Sequence, residues 1–564
     1  MKKLKKESRG RMKGHLWALG LTGICYGVMD YLFLPPYNVK SATTWIWVTA
    51  AFLGFGTLDL LFQGGLILSR KMGHRGQGET VSVQINPKEK KRSLGKLAVM
   101  AGLCLMAVYG ILALGSSPIF NAKRYARIAG PIEARDFSAD TPNSETISDI
   151  ALMDTESARI IGARALGTLE QLVSQFELSD QYTQINQNGK AMKVSPLQYA
   201  DFFKWLSNRG QGVPGYVAVD PVANTSDYVP LTQPMKYSAS GYLNDNLYRK
   251  LRFSYRTALF GDSYFEIDEE GNPYYITAVL DHEIFLFGGE TVKGVVTLNP
   301  STGETRYYDI QEVPSWIDIV YSGDRLTRRY DWYGLYSGGY WNSLVGNKDC
   351  KQVTDDFGYK MFDDDVWVFT GVTSVVSDES NIGFVLMNSR TAEIRYYPIP
   401  GAEEYSVMAS AEGEVQHLGY RAAFPSVIKV ADQPTYIMVL KDKGGLVKQY
   451  ALIHVERYNI VATAETQQAV ITKYKAALAE NGILPTGADR FSDDLYETVT
   501  VAELHYLVLG GNSYAYLLAR DGRLLKVDCS QFEAVVRVKP GDKLSVVLDE
   551  AENELFPVIA LTMD

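Results

Sequence analysis

Histidine and cysteine are scarce in this chain. Six histidines (His15, His74, His282, His417, His454, His505) and four cysteines (Cys25, Cys104, Cys350, Cys529) are spread over 564 residues. No two histidines form H-x-x-x-H or H-E-x-x-H and no two cysteines form C-x-x-C, which removes the zinc-protease, zinc-ribbon and thioredoxin-like patterns. There is no Walker phosphate loop and no G-x-S-x-G elbow, so no cofactor is implied. Positive charge is also short, but only in part of the chain. Residues 118–564 carry 40 Lys/Arg against 60 Asp/Glu, a net of −20, whereas residues 1–117 carry 16 against 5, a net of +11. The overall −9 describes neither part. The acidic majority argues against a nucleic-acid binder, and the division argues against a soluble cytosolic enzyme.

The basic part contains three apolar runs, at 16–34, 45–68 and 97–115. At about 1.5 Å per helical residue, each can cross a hydrocarbon core of about 30 Å. The first is not read as a cleavable signal peptide, because a second run follows closely and no small-residue cleavage pattern ends it. Seven cations (Lys2, Lys3, Lys5, Lys6, Arg9, Arg11, Lys13) precede the first run, and only Lys40 lies between the first and second. Eight cations lie between the second and third, among them Arg70, Lys71, Lys88, Lys90, Lys91 and Arg92. The positive-inside rule then predicts a multi-pass cell-membrane protein with a cytoplasmic N-terminus and everything after about residue 118 outside.

Within the runs, Gly20, Gly23 and Gly27 form a small-residue stripe that leaves helix-mediated association open. Asp59 and Gln63 share one face of the second helix, and Asp30 lies near the outer end of the first. An ionisable residue at membrane depth suggests a proton or ion path. The packing alternative has Asp59 satisfied by Gln63 or a neighbouring helix and Asp30 reaching the interface. Three spans with one deep carboxylate make a poor transporter, so packing is preferred.

Residues 118–150, rich in Pro, Ser, Asp and Thr, read as a connector. An amphipathic helix is predicted over 155–176, a hairpin over 182–194 turning at Asn188-Gly189, and a second helix over 196–208 opened by Pro196. Then the sequence repeats. GYVAVDPVANTSDYV from Gly215, GVVTLNPSTGETRYY from Gly294 and GFVLMNSRTAEIRYY from Gly383 are each a strand, a polar turn and a strand; a weaker copy, QYALIHVERYNIVAT, starts at Gln449. Hairpins are predicted at 263–279 and 435–447, and a helix at 467–479. The simplest unit is a three- or four-stranded sheet covered by a helix. From 496 to 564, six short strands with Gly-rich turns, one of them at 533–538, suggest a small OB or SH3-like barrel after a linker near 481–490.

The expected fold is therefore a membrane-anchored α+β protein. Three transmembrane helices (1–117) and a connector (118–150) precede β-rich units at 151–261, 262–350, 351–432 and 433–485, with a C-terminal small β-barrel at 496–564. The strand–turn–strand unit, with its Asn-Pro-x-Thr-Gly-Glu turn at 299–304 and the Gly-Asn-Pro hairpin at 271–273, resembles the PepSY domains of bacterial envelope proteins. The chain as a whole is similar to Gram-positive membrane proteins with short N-terminal spans and a long extracytoplasmic part. The resemblance implies an inhibitory or accessory envelope role and carries no active site.

Few residues suggest chemistry. In Asp281-His282-Glu283, a strand would project both carboxylates to one side, which suits acid–base work in a cleft; a solvated hairpin end is the plainer reading. Asp363-Asp364-Asp365, with Asp355 and Asp356, lacks the spacing of a calcium loop and reads as a solvated acidic loop, so no metal site is expected. An oxidising exterior would permit a Cys350–Cys529 disulfide, and two isolated thiols fit equally. The segment 330–341 stands out. Tyr330, Trp332, Tyr333, Tyr336, Tyr340 and Trp341 place six aromatics in twelve residues behind Arg325, Arg328 and Arg329, and read as a loop able to contact a sugar or protein partner. The expectation is a binding, scaffold or regulatory protein whose partners are the lipid bilayer and an envelope protein or wall polymer. An envelope enzyme acting on wall glycan or peptide, or an ion path gated by the exterior, are the alternatives.

Overall fold

The computed structural model describes residues 2–73, 94–141, 144, 152–167, 169–362, 364–484, 496–509, 512–529, 532–548 and 555–563. Lys88, Lys90, Lys91 and Arg92, residues 145–150 of the expected connector, Asp363, residues 485–490 of the expected linker and Gly510-Gly511 lie outside these. Three helices come first: α1 (Lys2–Phe33), α2 (Ala42–Gly73) and α3 (Leu94–Ser116). Each contains a stretch long and apolar enough to cross a membrane, at Met12–Phe33, Ala42–Gln63 and Leu94–Ser116. α2 and α3 touch through glycine, since a Cβ on Gly56 would meet the Gly95 carbonyl and a Cβ on Gly95 would meet that of Gly56. Gly20, Gly23 and Gly27 have nothing within 4 Å, so their stripe makes no close helix contact among the described residues.

The expected connector is instead a strap, as far as it is described. α4 (Pro118–Ile128) continues from α3 and buries Tyr125, Ala126 and Ile128, and α5 (Phe137–Asp140) buries Phe137 against Phe384 and Tyr397. The polar average of this stretch concealed those few anchoring side chains. The predicted helix at 155–176 divides into α6 (Thr155–Gly167) and α7 (Glu170–Val173). The predicted helix at 196–208 shrinks to α8 (Phe202–Asn208), whose first turn is capped by Asp201 accepting from the Lys204 N–H. Pro196 belongs to a strand, because burial of Val194, Leu197 and Tyr199 in the sheet outweighs the helix-start signal of the proline.

Four antiparallel meanders follow. The first comprises β1 (Phe176–Leu178), β2 (Thr183–Gln187), β3 (Lys190–Tyr199), β4 (Val213–Asp220) and β5 (Thr225–Met235), and is followed by α9 (Leu247–Ser254). The second is β6 (Leu259–Ile267), β7 (Pro273–Ile284), β8 (Gly288–Leu298) and β9 (Thr305–Asp309), followed by α10 (Gly323–Tyr336). The third contains β10 (Lys351–Val353), β11 (Gly358–Phe362), β12 (Asp365–Ser374), β13 (Ser377–Asn388), β14 (Ile394–Tyr397) and β15 (Gly401–Ala402), then α11 (Glu404–Glu414). The fourth has β16 (Arg421–Ala422), β17 (Ser426–Val430), β18 (Gln433–Lys441), β19 (Val447–His454) and β20 (Val461–Ala464), then α12 (Gln467–Glu480). Stripped of extra edge strands, all four share one path: β2-β3-β4-β5, β6-β7-β8-β9, β11-β12-β13-β14 and β17-β18-β19-β20.

The sequence repeats fall on the last two strands of each meander, and their shared residues have shared causes. Gly215, Gly294 and Gly383 each lie under the carbonyl of the residue fourteen positions on (Val229, Tyr308, Tyr397) and the ring of the one before it (Tyr228, Tyr307, Tyr396), where a Cβ would collide. The fourth copy has Gln449 at this position, and Thr463 stands in the register place of those tyrosines. The turn is also common. Asp220, Asn299 and Asn388 each accept from the backbone N–H groups two and three residues ahead. In the fourth copy His454 Nδ1 takes the same place, accepting from Glu456 and Arg457.

Each inner sheet is apolar on both faces because it lies between two cores. In β12, Trp367 and Phe369 face one core with α11 and the fourth sheet, while Val368 and Val372 face another with α10 and the second sheet. α9 contributes Leu247 and Leu251 to the core between the first and second sheets, and α12 covers the outer face of the fourth. α6 covers the outer face of the first sheet and also reaches the fourth, where Ile160 meets Gly445 and Asp154, just before the helix, meets Lys441. The last strands, β21 (Glu497–Leu509), β22 (Asn512–Ala519), β23 (Leu524–Asp528), β24 (Lys543–Leu548) and β25 (Leu555–Met563), close into a ring ordered β21-β22-β23-β25-β24. The strand expected at 533–538 is a short 3-10 helix at Glu533–Arg537, so the ring has five strands rather than six.

Candidate functional site

The loop between α1 and α2 and the end of α3 lie together at one end of the helix bundle, and the β-rich body is docked on that end. Three groups of contacts make the junction. Asp30 of α1 pairs with Arg256 at 3.2 Å and accepts from Tyr37 Oη. Arg249 and Arg252 of α9 donate to the carbonyls of Tyr31 and Leu34, and Arg249 also covers the Tyr31 ring at 4.2 Å. Burial and the neighbouring Arg256 pull the Arg252 pKa down to about 10. Backbone bonds add Tyr37 N to the Arg256 carbonyl. On the α3 side, the Phe287 ring packs against both Trp45 and Tyr109, 6.4 and 5.0 Å between centroids, and its N–H donates to Ser116 Oγ.

The Asp281-His282-Glu283 group belongs to this junction. Lys40 Nζ lies 2.5 Å from Asp281 Oδ1 and also donates to the His282 carbonyl, while Arg124 donates to the Glu283 carbonyl. Burial tends to raise the Asp281 pKa, but the Lys40 hydrogen bond, the His282 N–H and the charges of Lys40 and Lys293 together hold the carboxyl below its usual range. Burial lowers the His282 pKa. These three residues are therefore contacts to the helices.

The aromatic segment is a helix rather than a loop. α10 runs to Tyr336, and its 3–4 spacing buries Tyr330 in the core shared by the second and third sheets. Trp332 and Tyr336 stack edge-on against Tyr125 of α4, 5.0 and 6.1 Å between centroids, and Tyr333 lies beside Tyr330. The preceding arginines are occupied as well: Arg325 by Asp262 and Glu290, Arg328 by Glu290, and Arg329 by the Ile128 carbonyl. Only the end of the segment remains available. Tyr340 is half-buried against Trp341, and Trp341, Leu344 and Val345 are exposed. Since Tyr125 donates to the Ser116 carbonyl, this apolar tip follows a helix end that lies beside the end of α3.

Asp59 is at the other end of the bundle. It is fully buried, with Oδ1 2.5 Å from His15 Nδ1 of α1 and Oδ2 accepting from the Gly95 N–H in the first turn of α3. Gln63 is 3.4 Å from the His15 ring. One carboxylate thus joins three helices and satisfies a free donor at a helix start. Asp59 and Asp30 are not partners; Asp59 is about 25 Å along α2 from Ala42. Asp365 pairs with Arg390, and all four cysteines are free thiols. No group of three His, Cys, Asp or Glu suited to a metal occurs among the described residues.

The sequence did not single out the cations Arg249, Lys250 and Arg252 of α9 and Arg256 just beyond it. A signal existed, since they form a basic run without an acid inside a strongly acidic part. Comparison with known proteins finds no matching family and no similar curated protein.

Proposed function

We propose that the chain is a membrane-anchored scaffold or regulatory protein of the bacterial cell envelope, with its N-terminus cytoplasmic and its PepSY-like repeats outside. The observation that carries this reading is the junction, in which α9, β7 and the β7–β8 turn grip the same end of all three helices. The sequence is rich in cations before the first span, at 2–13, and between the second and third, at 70–96, which supports the orientation. The order of the C-terminal ring, with β23 and β25 parallel, supports an OB-type barrel, a fold that binds oligosaccharides as well as nucleic acids. The acidic exterior favours the former. The exposed tip at Trp341, Leu344 and Val345 offers apolar contact to the bilayer surface or an envelope protein.

A photo-crosslinking amino acid at Val345, used in intact cells, tests the assignment. Crosslinks to lipid, a wall polymer or one envelope protein are expected. A membrane-impermeant maleimide should also label the variant Tyr458→Cys, whose new thiol replaces an exposed ring. Exclusive capture of cytoplasmic proteins, with the Tyr458→Cys variant left unlabelled in intact cells, would overturn it.

A further inference from the structure

A cavity of about 240 Å³ lies where the first, third and fourth sheets meet the segment leading into α6. Lys193 of β3 and Lys360 of β11 both line it and both are more than nine-tenths buried. Lys360 Nζ donates to the Val427 carbonyl, whereas Lys193 has no hydrogen-bond or ion-pair partner among the described residues. Ser426 Oγ, also on the wall, is buried without a partner. The one acid of the lining, Asp154, is already taken by Lys441 and by the Ser157 N–H. Burial pulls both lysine amines down to about 8, so both are still mainly protonated at neutral pH. Phe357, Phe369 and Phe424 add apolar wall to the same cavity.

Two buried ammonium groups and a free hydroxyl facing one space, with no uncommitted carboxylate, have the composition of an anion site. A water occupies about 30 Å³ of liquid, so the cavity takes only a molecule of roughly ten heavy atoms. We propose that it binds a small organic anion, whose carboxylate or phosphate head meets Lys193, Lys360 and Ser426 while a flat apolar body lies on the phenylalanines. Such a ligand would tie β3 of the first unit to β11 of the third and β17 of the fourth, fastening the repeats to one another. This goes beyond the scaffold reading and does not depend on which side of a membrane the repeats occupy.

The test uses the full-length protein in detergent micelles at pH 7 and constant ionic strength, with benzoate, phenyl phosphate, inorganic phosphate and chloride as probes. Benzoate or phenyl phosphate should raise the unfolding midpoint saturably, by about 2 °C or more at millimolar concentration. Inorganic phosphate and chloride should give less than half of that. Lys193→Met should abolish the shift while keeping the fold, because the Lys193 amine makes no hydrogen bond or ion pair and is met only by the more distant charge of Asp154. Lys360→Met is the second variant, and Lys443→Met, at an exposed turn, is the control that retains the shift. No shift with either aromatic anion, an equal shift with chloride or inorganic phosphate, or an undiminished shift in both lysine variants would overturn the proposal. Should both variants fail to fold, the anion selectivity of the unmodified protein decides it alone.

Discussion

Lys40 and Asp281 are 241 residues apart and form an ion pair of 2.5 Å, joining the loop between the first two helices to the second sheet. Lys40 is the one cation of that loop. It serves as a tether rather than as part of a positive surface.

Both partners are partly exposed, so the pair itself contributes little, within about 1 kcal/mol. Asp281→Asn or Lys40→Met should lower the unfolding midpoint only slightly, yet increase protease cleavage near the β7–β8 turn as the junction loosens. The Asp281 carboxyl is held below its usual range, so its contribution is present above the unfolded pKa of about 4 and lost as pH falls through the folded value. Limited proteolysis between pH 3 and 7 should show the difference between wild type and Asp281→Asn vanish at the acid end.

The repeat glycines are fixed by close approach. Gly294→Ala or Gly383→Ala should destabilise by about 2–4 kcal/mol, because the obstructing Tyr308 or Tyr397 carbonyl is backbone and cannot rotate away. Denaturant unfolding followed by tryptophan fluorescence would measure this. Gln449→Ala, at the matching place in the fourth copy, should cost much less.

His454 can accept from Glu456 and Arg457 only with Nδ1 unprotonated, its Nε2 facing Gln433 Oε1 at 3.3 Å. Burial lowers its pKa, and a lowered folded pKa places its contribution above the unfolded value near 6.5. Stability from this turn should therefore fall as pH drops from about 6.5 through the folded pKa. His454→Asn, which restores the residue of the second and third copies, should remove that pH dependence in melting curves between pH 5 and 8.

Asp59→Ala should weaken the helix bundle by about 1–2 kcal/mol, since it strands the Gly95 N–H and His15 together. Asp59→Asn keeps an acceptor for Gly95 and should lose less. Resistance to unfolding in SDS would rank the variants. A proton path would instead make the two substitutions equally damaging to a proton-uptake assay, and packing predicts that they differ.

The chain alone determined a good deal. Three long apolar runs, the opposed charges of the two parts and the in-register repeats are properties of local composition and period, and each corresponds to observed helices or strand pairs. The hairpins at Asn188-Gly189 and at 270–273 were legible because their turns demand particular residues.

Only the tertiary structure decided which polar residues were committed. Asp281, Asp30 and Arg325 looked available in sequence, and each is held by a partner more than thirty residues away. The aromatic cluster at 330–341 was read as a surface loop; Tyr330 is core, Trp332, Tyr333 and Tyr336 are partly buried, and Trp341 stays exposed, because aromatic residues fit either place and packing chooses. Conversely, nothing in the sequence around Lys193 and Lys360 sets them apart from other lysines. Their burial arises where separate sheets converge, and no periodicity along one strand encodes that convergence.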